Sequence, residues 1–527
     1  MKNENYPLYE VDPISNLKEL VNHTAEKYGD KPAFIFERQK ETVSVSYRQF
    51  KSDVDALGTA LFDMGMQNSK VALIGENSYE WILTYFAVVN SGNVIVPLDK
   101  ELPAADIKSL TDHSGAEMLV FSDAFSDVAA YLKENGVTIQ YYVNMNEIPK
   151  LIEQGEDAIK CGNNSVVTCE IDNNALTALM YTSGTTGNAK GVMLSHKNLS
   201  CNAVGTCKIV SFPESYLLIL PLQHIFALDV GLSVMMLHGS MIAINSSLKN
   251  IPGDMKKYKP RNIFMVPLLA ETFYKQILTL AGHDTSQDNL MQLSNAVFGG
   301  NQKTIVCGGA PLDVKYAIGY RELGVEFIEG YGLTECSGVV SANRNQYYRD
   351  DSIGQTLPNC EVKIAEPDEN GHGEICVKGD IVMLGYYKNE QATKEAFDGE
   401  WFKTGDLGYL DQDGFLFISG RKKNLIVLSN GKNVYPEELE FALLTQIPYV
   451  KETVVYARDN EIIAEVFLDV ENNPDCAARL NNDIVEFNKT QAPYKNINRT
   501  VIRDTEFPKT TTKKIKRQYT KGVDANA

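Results

Sequence analysis

Between Lys70 and Asn144 short apolar runs alternate with longer segments of helical character, and no other feature limits the fold so strongly. "VALIG" leads into "SYEWILTYFAVVNSG"; "NVIVPLD", "LPAADIKSLTDHSG", "AEMLVFSD", "AFSDVAAYLKENG" and "TIQYYVN" follow in turn. The helical segments leave too much chain between strands for hairpins, so successive strands lie parallel and each crossover carries a helix. The spacing predicts a doubly wound α/β layout. Ser78 is placed to cap the first of these helices and Gly92 to stop it.

The pattern resumes beyond Tyr181, with "GVMLSH", "NIFMVP" and "TIVCGGAPL" as strands and "KNLSCNAVG" opening a helix. From Ser352 to Tyr387 the short pieces "CEVKIAE", "GEICVKG" and "IVMLGYY" are separated by Gly, Pro and Asp turns, which predicts a β-rich subdomain. After Arg421 come a helix "PEELEFALLTQI", a hairpin "KETVVYARDNEIIAEVFLDV" and a Lys-rich end. A chain of 527 residues exceeds one hydrophobic core, and the boundary is expected at Arg421, giving domains 1–420 and 421–527.

The formal net charge of -18 argues against nucleic acid as a partner, because a phosphate backbone selects basic surfaces. Nine scattered cysteines with no C-x-x-C pair fit free thiols in a reducing compartment and give no support for a zinc site. "MKNENYPLYE" lacks the basic and apolar regions of a signal peptide. The longest apolar stretch, "LLILPLQHIFALDVGLSVMMLHGSMIAI", is broken by Pro221, Gln223, His224, Asp229 and His238, so no membrane span is expected there. The expected location is cytoplasmic.

One stretch fits neither helix nor strand: "YTSGTTGNAKG", beginning at Tyr181. Gly184 and Gly187 can take left-handed angles that turn successive N–H groups inward as an anion nest. Thr182, Ser183, Thr185 and Thr186 add hydroxyl donors, and Lys190 adds a positive charge. The result is a polyphosphate cradle in chemical terms, though not a Walker A loop, since residue 189 is Ala where that motif needs Gly. A flexible linker is disfavoured, because the core pattern continues at once with "GVMLSH".

"YTSGTTGNAKGVMLSH" resembles the phosphate-binding signature of the adenylate-forming superfamily of acyl-CoA synthetases, peptide-synthetase adenylation domains and firefly-type luciferases. Four further blocks agree in order: "CGGAPL" at Cys307, "GYGLTECSG" at Gly330, "WFKTGDLGYLDQDGFLFISGRKKNLIVLSNGKNVYPEELE" at Trp401, and "PKTTTKKIKR" at Pro508. The opening region "VSYRQFKSDVDALGTALFDMG" is similar as well, so the likeness spans nearly the whole chain. Bacterial long-chain fatty acid–CoA ligases are the members it looks most like. The resemblance implies an α/β fold with a large N-terminal domain of two doubly wound, mainly parallel sheets plus the β-rich subdomain, and a small mobile α+β C-terminal domain.

It also implies roles, with ATP, Mg²⁺ and coenzyme A as the bound species. Glu335 would bind Mg²⁺ and Thr334 the α-phosphate; Tyr331, Gly332 and the backbone of Gly309 and Ala310 would enclose the adenine. Asp406 would accept from both ribose hydroxyls, with Arg421 alongside. His224 of "LPLQHIFAL" reads by default as a core histidine; the resemblance places it beside the substrate carboxylate as an orienting group and not as a general base. Lys514, before Ile515, matches the lysine that stabilises charge as a carboxylate attacks the α-phosphorus. Lys423 matches a hinge about which the C-terminal domain turns, bringing "SNGKN" with Gly431 and Lys432 to line a pantetheine channel.

Three departures from the pattern stand out. Lys513 replaces a glycine and leaves two adjacent lysines, Ala189 replaces a proline, and Asn424 stands where many members carry an acid, putting a hydrogen bond near the hinge in question. The reaction implied is ATP-dependent activation of a fatty acid or other carboxylate to an acyl-adenylate with release of pyrophosphate, then transfer to CoA. Three rivals stay open: transfer to the phosphopantetheine of a separate acyl carrier protein, a luciferase-like oxygenase, and a non-catalytic nucleotide-binding protein. Peripheral membrane contact would suit a fatty substrate.

Overall fold

The computed structural model describes residues 4–182, 189–245, 247–428, 432–458, 461–510 and 514–517. Ser183, Gly184, Thr185, Thr186, Gly187 and Gly431 lie outside the described residues. The chain divides into two compact units: among the described residues, one takes in those up to 182, 189–361 and 377–402, and the other 362–376 and 403–517.

The first unit holds two large sheets. Edge to edge, the seven-stranded sheet runs Gly385–Tyr386, Lys190–Ser195, Leu176–Thr182, Val94–Pro97, Lys70–Ile74, Met118–Phe121 and Tyr141–Asn144. Its strands from Leu176–Thr182 to Tyr141–Asn144 are parallel, each crossover passing through a helix, as the alternation predicts. Leu176–Thr182 and Lys190–Ser195 are instead antiparallel, with Thr182 opposite Lys190. The nine-stranded sheet has a parallel centre, Glu326–Tyr331, Thr304–Cys307, Asn262–Met265, Ser215–Leu218, Met241–Ile244 and Pro32–Arg38, with antiparallel strands at both edges. The chain is thus α/β with two mainly parallel sheets.

Local signals account for the elements. The helix Tyr79–Asn90 starts where the Ser78 hydroxyl accepts from the Trp81 N–H at 3.2 Å and ends before Gly92, whose φ is +78°. Trp81, Ile82, Leu83, Tyr85 and Phe86 are all buried, as a helix apolar on every side requires. The long apolar stretch resolves into the strand Ser215–Leu218, a π-helix Phe226–Val234 and the strand Met241–Ile244. Among the described residues no helix is long and apolar enough to cross a membrane.

His196 opens the helix His196–Ile209 and is 2% exposed. Its Nδ1 accepts from the Leu17 N–H at 3.3 Å while the other ring nitrogen donates to the Val89 carbonyl, so the neutral ring joins three helices. Burial holds its pKa down at about 4, against the small opposing effects of the Val89 bond and Asp172. With the unfolded value near about 6.5, this neutral ring contributes stability that is whole above that pH and lost as pH falls towards 4, of the order of 3 kcal/mol. His196→Gln is expected to lower the thermal midpoint at neutral pH and to flatten its fall between pH 6.5 and 4. A fall as steep as in the parent would show that acid sensitivity lies elsewhere.

Between residues 360 and 421 lies a five-stranded sheet, Cys360–Ala365, Gly373–Gly379, Trp401–Leu410 and Phe397–Asp398, with Leu416–Arg421 also paired to Trp401–Leu410. "IVMLGYY" does not join it. Only Gly385–Tyr386 of that run is strand, and it pairs with Lys190–Ser195. Further along, the strands Val450–Arg458, Glu461–Leu468 and Arg499–Arg503 form a three-stranded sheet under the helices Pro436–Gln446 and Cys476–Lys489, with a core that includes Leu439, Leu443, Val455, Leu480 and Phe487.

Candidate active site

In the first unit the residues singled out from the sequence stand at the carboxyl ends of parallel strands, where open α/β sheets take ligands. Thr182 ends its strand, and its hydroxyl lies 3.5 Å from the Lys190 carbonyl. Gly309 and Ala310 follow Thr304–Cys307 and are exposed, Gly309 with φ +87°. Tyr331 ends the neighbouring strand Glu326–Tyr331, half-buried. The two strand ends approach closely, since a Cβ on Gly308 would lie 3.1 Å from the Gly330 carbonyl. Gly332 admits no side chain, because a Cβ there would stand 1.6 Å from the Gly338 carbonyl oxygen. His224 follows Ser215–Leu218, half-buried, and its carbonyl accepts the Leu228 N–H at 3.0 Å as the π-helix begins.

Thr334 and Glu335 form a 3₁₀ turn closed by Ser337 at φ +60°. Side chains and strand edges pin this turn from two directions. Asn202, fully buried, donates to the carbonyls of Cys336 and Val339 at 2.9 and 2.7 Å. Asn198 donates to the carbonyls of Asp380 and Val382, and the Ser337 hydroxyl to Ile381. The Met383 N–H reaches the Glu335 carbonyl at 2.8 Å, while the Leu384 and Tyr387 N–H groups reach Met193 and Gly191. The segment 380–387 therefore fastens the Glu335 turn to the strand that begins at Lys190. Tyr386 completes the link, its hydroxyl 3.0 Å from Glu335 Oε1 and its ring centroid 4.6 Å from Lys190 Nζ.

In the second unit Asp406 and Arg421 face each other across antiparallel strands, with Arg421 Nε 2.7 Å from Asp406 Oδ1. The Asp406 side chain is 6% exposed, whereas Arg421 keeps about half its surface. Lys514 joins them. Although Lys514 retains accessible surface, burial is the leading cause that lowers its ammonium pKa, with the Arg421 charge second and Asp406 opposing both. Its backbone is held by two contacts: the Lys514 N–H donates to Thr510 Oγ1 at 3.1 Å, and Ile515 bridges Lys509. Arg517 anchors the exit by pairing with Glu440, whose carboxyl burial pushes up to about 7 against the pull of Arg517.

Lys423 follows Arg421 in a short 3₁₀ turn, its pKa lowered by burial first and then by Arg421 and Arg517. The departure at Asn424 does not remove a hydrogen bond, because its amide donates to Glu437 Oε1 at 2.6 Å. Lys432 lies with Nζ 4.4 Å from the Tyr494 ring centroid. Tyr386, Asn198 and Asn202 were not singled out from the sequence. For the two asparagines a signal exists, since Asn is a poor helix former and both fall inside a helix; for Tyr386, one aromatic in an apolar run, there is none.

Comparison with known proteins places the chain in a family. Residues 21–387 match the AMP-binding enzyme family and residues 423–522 the AMP-binding enzyme C-terminal domain. The long-chain-fatty-acid–CoA ligase FadD15 of Mycobacterium bovis is 30% identical over 457 residues, covering 78% of this chain and 75% of that protein. A long-chain-fatty-acid–CoA ligase of Salmonella typhimurium is 29% identical over 470 residues, 81% of each. Among solved structures, the O-succinylbenzoate coenzyme A synthetase MenE of Bacillus subtilis in complex with AMP superposes with a TM-score of 0.76 at 24% identity, over 95% of this chain and 98% of that one. ATP-bound MatB from Rhodopseudomonas palustris gives 0.78 at 23% identity over 95% and 98%. The structural likenesses establish the fold, and the family matches go further: the chain belongs to the AMP-binding enzymes and, within them, to the AMP-forming acid–thiol ligases.

Proposed function

We propose that the chain activates a medium- to long-chain fatty acid with ATP and transfers the acyl group to CoA. The direct fastening of the Thr334–Glu335 turn to the Lys190 strand carries this reading, because it brings a carboxylate, a hydroxyl and an ammonium to one place at the strand ends. A fatty acid is favoured by the two ligases at 29–30% identity.

A carboxylate oxygen attacks the α-phosphorus, the bond to pyrophosphate breaks, and acyl-adenylate forms. Lys190 and the loop after Thr182 bind the leaving pyrophosphate. Thr334 donates to the α-phosphate and Lys514 offsets the charge that builds there. Tyr331, Gly332, Gly309 and Ala310 enclose the adenine; Asp406 and Arg421 hold the ribose. Glu335 would hold Mg²⁺, which when bound would supply charge neutralisation on the polyphosphate. The donor suits that ion: Glu335 presents a carboxylate with one oxygen on the Tyr386 hydroxyl, and Mg²⁺ is usually bound through one or two carboxylates together with substrate phosphates. In the second step the CoA sulfur attacks the acyl carbon and AMP leaves. His224 orients the substrate carboxylate, residues 421–527 act as a mobile C-terminal domain hinged at Lys423, apart from the domain 1–420, and Lys432 flanks the thiol's path.

The test is pyrophosphate release with ATP and Mg²⁺ across straight-chain acids from acetate to palmitate and across aromatic acids, each with and without CoA. CoA-stimulated turnover that rises with chain length is expected. A peak among aromatic acids would move the substrate class, release without CoA stimulation would point to a carrier-protein acceptor, and no release with any acid would overturn the reading.

A further inference from the structure

We propose that Tyr386 is a positioning residue for adenylate formation, its hydroxyl setting the Glu335 carboxylate and its ring face seating the Lys190 ammonium. The inference rests on the reading of Glu335 and Lys190 given above. It assigns to one neutral side chain the spacing of the two groups that meet the polyphosphate.

The placement follows from strand geometry. Tyr386 lies opposite Val192 in the antiparallel pair, and Lys190, two residues before Val192, projects from the same face, so the ring and the ammonium are diagonal neighbours. Nζ stands 4.6 Å from the ring centroid, within cation–π range. The hydroxyl turns the other way, to Glu335 Oε1 at 3.0 Å. Tyr386 is only 8% exposed, and its hydroxyl, having one proton to give, donates it to the carboxylate.

The backbone of Tyr386 is satisfied without the hydroxyl. Its N–H donates to Thr393 Oγ1 at 2.9 Å and its carbonyl accepts from the Asn389 N–H. Gly385, at φ +137°, sits against Thr393, where a Cβ would come within 2.8 Å of the Thr393 methyl. The hydroxyl is thus not needed to hold the strand in register. What it does is fix one carboxylate oxygen while leaving the group's other acceptor sites for a cation. Lys190 and Glu335 carry opposite charges, and one uncharged residue contacts both.

The experiment measures ATP binding by calorimetry without acid, with and without Mg²⁺, and pyrophosphate release as Mg²⁺ is titrated, in Tyr386→Phe, Tyr386→Leu, Glu335→Gln and the Tyr386→Phe/Glu335→Gln double variant. Tyr386→Phe keeps the ring and is expected to raise the half-maximal Mg²⁺ concentration about tenfold, the loss of one hydrogen bond to a charged group. It should reduce by a similar factor the tightening of ATP binding by Mg²⁺, with metal-free ATP affinity and thermal midpoint unchanged. Tyr386→Leu should also weaken metal-free ATP binding, through Lys190. In the Glu335→Gln background, Tyr386→Phe should add nothing. An unchanged Mg²⁺ response in Tyr386→Phe, or the same tenfold change with Glu335 already replaced, would overturn the assignment. A parent-like Mg²⁺ response in Glu335→Gln would instead remove the Glu335 reading. The ring's contact with Lys190 would then stand or fall by whether Tyr386→Leu weakens metal-free ATP binding.

Discussion

Replacing Lys514 with alanine is expected to cut acid-dependent pyrophosphate release by about 10²–10³-fold, the effect of removing one preorganised charge from a developing anion. ATP binding and the thermal midpoint should stay close to the parent values. The expectation comes from how the residue is held. Its loop is fixed by the Lys509–Ile515 bridge, by the Thr510–Lys514 hydrogen bonds and by Arg517 on Glu440, none of which uses the Lys514 ammonium. The ammonium stands among Arg421 and Asp406, and its pKa is lowered chiefly by burial. Rising pH should therefore remove its proton earlier than from an ordinary lysine, and the adenylation rate should fall on the alkaline side below the usual lysine range. Lys514→Arg, which keeps its charge, should lose that alkaline limb whatever its absolute rate. The defect should also be confined to the first half-reaction, so that acyl-adenylate supplied ready-made is still converted to thioester by CoA. Lys513→Ala is the control for the neighbouring lysine; if it and not Lys514→Ala abolished pyrophosphate release, the assignment would move one residue.

Much of the fold is legible because it is written in local spacing. The run from Lys70 to Asn144 carries strand and helix periods that neighbouring residues decide among themselves, down to Ser78 as a cap. Strand order is different, since nothing local tells Pro32–Arg38 to lie beside Met241–Ile244. "IVMLGYY" shows the same limit. The run does read as extended chain, but only Gly385 and Tyr386 pair as strand, and other backbone N–H groups reach Glu335, Met193 and Gly191. The π-helix Phe226–Val234 is likewise hidden, because its wider turn depends on which carbonyl each N–H selects and leaves no mark in composition. At the site, Glu335, Asp406 and Lys514 are named by motif, and Arg421 and Thr510, which hold the last two, lie in the same motifs, whereas the ties on the Glu335 turn come from Asn202 and Tyr386, far from it in sequence.

Asp406→Asn should act on binding where Lys514→Ala acts on rate. Asp406 is buried on a strand, and Arg421 already occupies one of its carboxylate oxygens at 2.7 Å. A carboxylate offers about four acceptor sites, so one group can serve a guanidinium and hydroxyl donors together. The amide turns half of that edge into donors, which face the guanidinium and the hydroxyls alike. Two charge-assisted hydrogen bonds weakened together correspond to a rise of about 10²-fold in the KM for ATP. Ribose contacts persist unchanged as the carboxylate attacks, so kcat at neutral pH should fall far less than kcat/KM. The 2′-deoxy analogue of ATP sharpens the test: it should bind worse than ATP to the parent, and that difference should vanish in Asp406→Asn. A preserved preference for ATP would show that Asp406 does not read the ribose and that any loss arises through its neighbours. One neighbour gives a separate signal. Asp406 supports the charged form of Lys514 against burial and Arg421, so neutralising it should carry the alkaline limb of kcat to still lower pH. The same substitution thus reports on the ribose through KM and on the lysine through the pH profile of kcat. Arg421→Ala, which lifts a repulsive charge from Lys514, should move that limb the opposite way.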